Sequence, residues 1–154
     1  MGNLAEQPKQ QPALAELDYL LQRFRQVRAT SEAICAPLQI EDYVIQSMPD
    51  VSPPKWHLAH VSWFFEAFLL KPYLPTYKPL NAAYDHLFNS YYETHGTPFP
   101  RNQRGLISRP SVEDVYRFRQ HVDRAMGELL VNPPQQHAAE ILRRVELGLQ
   151  HEQQ

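Results

Sequence analysis

Proline placement constrains this chain most, because a proline inside a helix removes a backbone donor and clashes with the preceding turn. The fourteen prolines stand at positions 8, 12, 37, 49, 53, 54, 72, 75, 79, 98, 100, 110, 133 and 134. Between them lie long windows whose apolar residues recur every three or four positions, so each window reads as a helix. From about Pro12 to Ile34 the stripe is Leu14, Leu17, Leu21, Phe24 and Val27. Ser52 and Pro53 supply a cap and a first-turn residue for a second helix running to about Lys71. A shorter window, about Ala82 to Glu93, stops near Gly96. Ser111 and Asp114 have capping-box spacing and open a helix carrying Val115, Phe118, Val122, Ala125 and Leu129. After Pro133 and Pro134 a last helix carries Ala138, Ile141, Val145 and Leu149. No segment sustains period-two alternation. The expected fold is all-α, an antiparallel four-helix bundle with an extra short helix in a long crossover.

A chain of 154 residues suffices for one core. Residues 1–11, polar and aperiodic, are expected to be a disordered leader, leaving 12–154 as a single helical domain. Fifteen Lys and Arg against seventeen Asp and Glu give a net charge of -2, without the basic excess that phosphate backbones require, so nucleic acid is not an expected partner. The single cysteine, Cys35, has no internal partner for a disulfide. No signal peptide or run of about 18 uncharged apolar residues is visible, so no membrane is expected and a cytoplasmic location is.

Three of the seven histidines sit where chemistry is plausible. On a helical wheel of the second helix, Lys55, Ser62 and Glu66 mark a polar face, with His57, His60, Val61, Phe64 and Phe68 opposite. A histidine on such a face is more often a hydrogen-bonded core residue than a metal ligand, and periodicity does not choose between His57 and His60. His151-Glu-Gln-Gln154 matches the first four positions of H-x-x-x-H, whose imidazoles one turn apart can chelate one metal. It also matches the start of the zinc-protease H-E-x-x-H signature, with Glu152 as general base. A cavity on the His151 flank, where Gly148 is small, would favour ligation and let Glu152 orient an imidazole. Between these helices, Tyr91 and Tyr92 precede Arg101, Arg104 and Arg109. Phenols and guanidiniums together suit a small zwitterion as well as they suit ordinary half-buried packing and solvated loops.

Six elements, Ser52-Pro-Pro-Lys-Trp-His-Leu-Ala-His60, Trp63-Phe-Phe-Glu66, Leu87-Phe-Asn-Ser-Tyr-Tyr-Glu93, Arg104-Gly-Leu-Ile-Ser-Arg-Pro110, His121-Val-Asp123 and His151-Glu-Gln-Gln154, occur in order. Together they resemble the N-terminal, DinB-like domain of the ergothioneine-biosynthesis sulfoxide synthase (EgtB) family, from about Leu14 onward. The resemblance implies a non-haem iron(II) enzyme that uses oxygen to join the sulfur of cysteine or γ-glutamylcysteine to hercynine, forming a sulfoxide. It implies metal ligation by His60, His151 and a histidine at position 155, just past Gln154, and makes His57 a packing or supporting residue. Tyr92, with Tyr91, becomes the candidate proton donor, Arg101 and Arg104 the carboxylate clamp, and Gln154 a contact for the hercynine imidazole. It further implies a missing C-terminal domain of the same polypeptide, related to the formylglycine-generating fold, without which these 154 residues are expected to be inactive. The alternatives are a selenium-using or other thiol–histidine coupling homologue and a non-catalytic helical interaction module.

Overall fold

The computed structural model describes residues 12–90 and 96–154; the expected leader lies outside them. The helices are α1 (Leu14–Cys35), α2 (Pro54–Phe65), α3 (Lys71–Tyr73), α4 (Tyr84–Leu87), α5 (Val112–Val131) and α6 (Ala138–Gln153). Short 3-10 turns occupy Ile40–Val44, Arg101–Leu106 and Gln135–His137, and a π turn over Glu66–Leu70 joins α2 to α3 without a break. Among the described residues there is no strand, and no helix is long and apolar enough to cross a membrane. Of the short helix expected over 82–93, the described residues 82–90 contain α4, and residues 91–95 lie outside the described set.

Cross-helix contacts fix the directions of the four long elements. Phe24 meets Phe65 and Arg28 meets Ser62, so α1 and α2 are antiparallel. Arg23 meets Glu146 and Ser31 meets Glu152, so α1 and α6 run parallel. Arg28 to Asp123 and Arg119 to Glu32 set α5 against α1. The long crossover through α3, α4 and the 101–106 turn lets α5 return in the direction of α2. Phe24, Trp63, Phe65, Phe88, Phe118 and Ile141 fill the centre almost without exposure, each large apolar side chain contributing about 1.5–3 kcal/mol on burial.

Local chemistry explains the boundaries. Ser111 Oγ accepts from the Asp114 amide at 3.1 Å while Asp114 Oδ2 accepts from the Ser111 amide at 3.0 Å, which closes the capping box of α5. Ser52 is not the cap of α2. Pro53 occupies that position with extended backbone, and Ser52 Oγ instead accepts from Arg104 Nη1 at 2.9 Å. The expected polar face of α2 is likewise corrected, since Lys55, Ser62 and Glu66 are buried. Lys55 Nζ donates to the Ile107 carbonyl, Ser62 Oγ accepts from Arg28, and Glu66 accepts from the Tyr77 hydroxyl. With α1, α5, α6 and the crossover packed around it, α2 turns its polar side chains toward partners rather than water. His57, placed inward by the wheel, is exposed.

Candidate functional site

A pocket of about 620 Å³ opens at one end of the bundle, where α2 meets the C-terminal ends of α1 and α6 and the loops around 50–52, 90 and 101–104. His60, His151, Arg101, Arg104 and Gln154, five residues singled out from the sequence, all line it. Tyr91 and Tyr92 lie outside the described residues.

His60 is 5% exposed. Its Nδ1 lies 2.6 Å from the Phe88 carbonyl oxygen; a carbonyl can only accept, so Nδ1 carries the proton and Nε2 keeps its lone pair. That Nε2 lies 2.9 Å from His151 Nε2, with the rings nearly perpendicular at 85°. Within this pair His151 donates. Burial pushes His60 down to about 3, against the opposing pull of the Phe88 bond, and burial also lowers His151, with Glu152 opposing. Both imidazoles are therefore neutral at neutral pH, the form in which histidine binds metals.

An aromatic column holds His60 in place. Trp56 stacks on one side at 4.5 Å and 14°, and Trp63 lies on the other at 5.9 Å and 17°. The indole of Trp56 donates to the Leu87 carbonyl at 2.9 Å and that of Trp63 to Asp85 Oδ1 at 3.0 Å. Three ring N–H groups at positions 56, 60 and 63 thus fasten successive turns of α2 to residues 85–88. The spacing of Trp56, His60 and Trp63 was a readable sign of this column.

Arg104 caps the column. Its guanidinium carbon lies 3.5 Å from the centre of the Trp56 ring, a cation–π contact in a buried setting. Nη1 donates to Ser52 Oγ at 2.9 Å and Nη2 to Ser90 Oγ at 3.4 Å, whereas the buried Nε has no partner among the described residues. Burial, followed by Arg101, lowers Arg104 to about 10, so it remains a cation at neutral pH. Arg101 is exposed at the rim. An unsatisfied buried donor beside a cavity is a place an outside acceptor can complete.

Two expectations at the end of α6 are overturned. Gly148 leaves no cavity, because a Cβ there would lie 2.6 Å from Phe65 Cε1; the open space begins one turn later. Glu152 is not available to orient an imidazole or act as a protease base. Its side chain is 1% exposed, with Oε1 accepting from Ser31 and Arg119 and Oε2 from Arg28.

Among the described residues no three or more His, Cys, Asp or Glu side chains form a metal cage; His60 and His151 offer two donors. The molecule is thus a helical bundle presenting two neutral imidazoles to a pocket edged by guanidinium groups. Residues 23–154 match the DinB superfamily, and the chain belongs to it. That superfamily includes metalloenzyme-type domains. No curated protein matches the chain.

Proposed function

We propose that this chain is the iron-binding helical part of a non-haem iron(II), oxygen-dependent sulfoxide synthase that joins the sulfur of cysteine or γ-glutamylcysteine to hercynine in ergothioneine biosynthesis. The six sequence elements support that reading. The observation that carries it is the Phe88 carbonyl, which holds His60 in the tautomer whose Nε2 lone pair looks toward His151. His60 Nε2 offers its lone pair, and His151 would offer its own once the proton it shares with His60 moves to Nδ1; two neutral imidazoles so placed suit a first-row divalent ion, so the residues present fit iron(II) held by His60 and His151. Bound iron would supply oxygen activation. The chain's own groups bind and orient: Arg104, with Arg101 at the rim, holds the donor's carboxylate through charge-assisted hydrogen bonds. Gln154 offers its amide to the hercynine ring, and Tyr92, backed by Tyr91, delivers a proton.

Two of the family's three imidazole positions, His60 and His151, lie within these residues, and on this reading they bind iron(II). Anaerobic loading with iron(II) and metal analysis test this reading: binding should be lost in both His60→Ala and His151→Ala. Undiminished binding by His60→Ala would overturn it. It would favour a non-catalytic helical module, a second reading favoured by the way the two histidines satisfy each other inside the fold. The same pocket chemistry accommodates a selenium donor, which comparison of cysteine and selenocysteine binding would separate.

A further inference from the structure

Behind the histidine pair, two buried guanidiniums tie four helices together. Arg119 of α5 is fully buried; Nη1 donates to the Leu58 carbonyl at 3.0 Å, and Nη2 donates to the Arg28 carbonyl and to Glu152 Oε1, each at 3.1 Å. Arg28 of α1 donates from Nη2 to Ser62 Oγ at 2.6 Å, from Nη1 to Glu152 Oε2 at 3.0 Å and from Nε to Asp123 at 2.7 Å. Leu58 and Ser62 stand two residues before and after His60, and Glu152 directly follows His151. Neither arginine lines the pocket.

We infer that Arg28 and Arg119 are positioning residues that set the separation of the two histidine Nε2 atoms. They grip α2 on both sides of His60 and hold α6 by the carboxylate beside His151. A guanidinium suits this role because its donors are fixed in one plane, so a single group references several helices at once. A hydrogen bond lengthened to 3.6 Å is no longer one, so a slide of less than an ångström between α2 and α6 separates the imidazoles. The last turn of a helix frays unless something holds it, and here Glu152 is anchored from α1 and α5 together. Buried ion pairs add little net stability but can fix register.

The inference rests on the metal reading for what the pair is used for, yet its primary test is metal-free. In the chain labelled with ¹⁵N-histidine, a hydrogen-bond scalar coupling should connect the two Nε2 nitrogens. It should persist in the exposed control Arg117→Lys and disappear in Arg119→Lys and in Ser62→Ala, with folding checked by circular dichroism. Cobalt(II) affinity should fall roughly 10–100-fold in the latter two variants. Should Arg119→Lys fail to fold, Ser62→Ala decides. Retention of the coupling in the folded variants, or its absence from the wild-type chain, overturns the inference. A coupled wild-type pair that binds no cobalt would overturn the metal reading alone.

Discussion

Arg119 and Arg104 are both almost wholly buried, one behind His60 and the other in front of it, and they differ in what completes them. Arg119 meets Glu152, Glu32 and two backbone carbonyls. Among the described residues Arg104 meets no carboxylate; it has an indole face, two hydroxyls and an Nε without a partner. Burying a cation is costly unless it is paired and hydrogen-bonded. The rear of the site is therefore closed by carboxylates within the fold, whereas at the front the described residues leave a cation without a carboxylate beside the pocket.

The sharpest way to break that contrast is to remove one charge from each side. Glu152→Ala takes the shared, fully buried carboxylate from two buried guanidiniums and is expected to cost about 3–5 kcal/mol in urea unfolding, whereas Arg104→Met should cost no more than about 1–2 kcal/mol. Equal losses would erase the distinction. The same Arg104→Met change should instead weaken cysteine binding by about 1.5–3 kcal/mol, the range for hydrogen bonds to charged groups, as read by calorimetry. Gly148→Ala tests how tightly the rear is packed. Its added methyl meets the Phe65 ring, and the expected loss is about 1–3 kcal/mol in thermal or urea unfolding.

The smallest effect compares two buried carboxyls. Burial pushes Glu66 up despite the Tyr77 hydroxyl and Lys71. Burial acts on Glu152 as well, but Arg28 and Arg119 override it and hold that carboxyl low. Folded Glu66 thus keeps a proton that the unfolded chain has already lost, and its contribution to stability falls as pH rises from the ordinary carboxyl range through the raised folded value. Glu66→Gln, neutral throughout, should match wild type below about pH 4 and exceed it at mildly alkaline pH in urea midpoints. A gap that does not change with pH would show that Glu66 titrates normally.

Much of the bundle could be read directly. The proline-free windows locate α1, α5 and α6 to within about two residues, and the stripes ending in Leu129 and Leu149 are the buried ones, because those helices each cover one side of the core. α2 misled because it is covered on nearly every side, with His57 the exposed exception: Lys55, Ser62 and Glu66 have the spacing of a solvent face, while their partners Ile107, Arg28 and Tyr77 lie elsewhere in the chain. Pattern alone carries no sign of such long-range pairing. The pocket's convergence of His60, His151 and Arg104 came from motif order, which no wheel supplies. The roles of Arg28 and Arg119 were invisible, since buried arginines look like surface ones until their carboxylates are located.

The π turn at Glu66–Leu70 has a consequence for how the central helix can vary. Its hydrogen bonds close one residue wider than those of an α-helix, which rotates everything downstream by about 100° relative to an unbroken α-helix. Counted as an α-helix, Phe68 falls on the inner stripe; in the structure it is half-buried, while Leu69 and Leu70 take the interior. Deleting one residue there would leave His60 in place and swing the departure of the crossover around the axis. Chain length at this turn therefore acts as a rotary setting, independent of composition, for where the loops that wall the pocket begin.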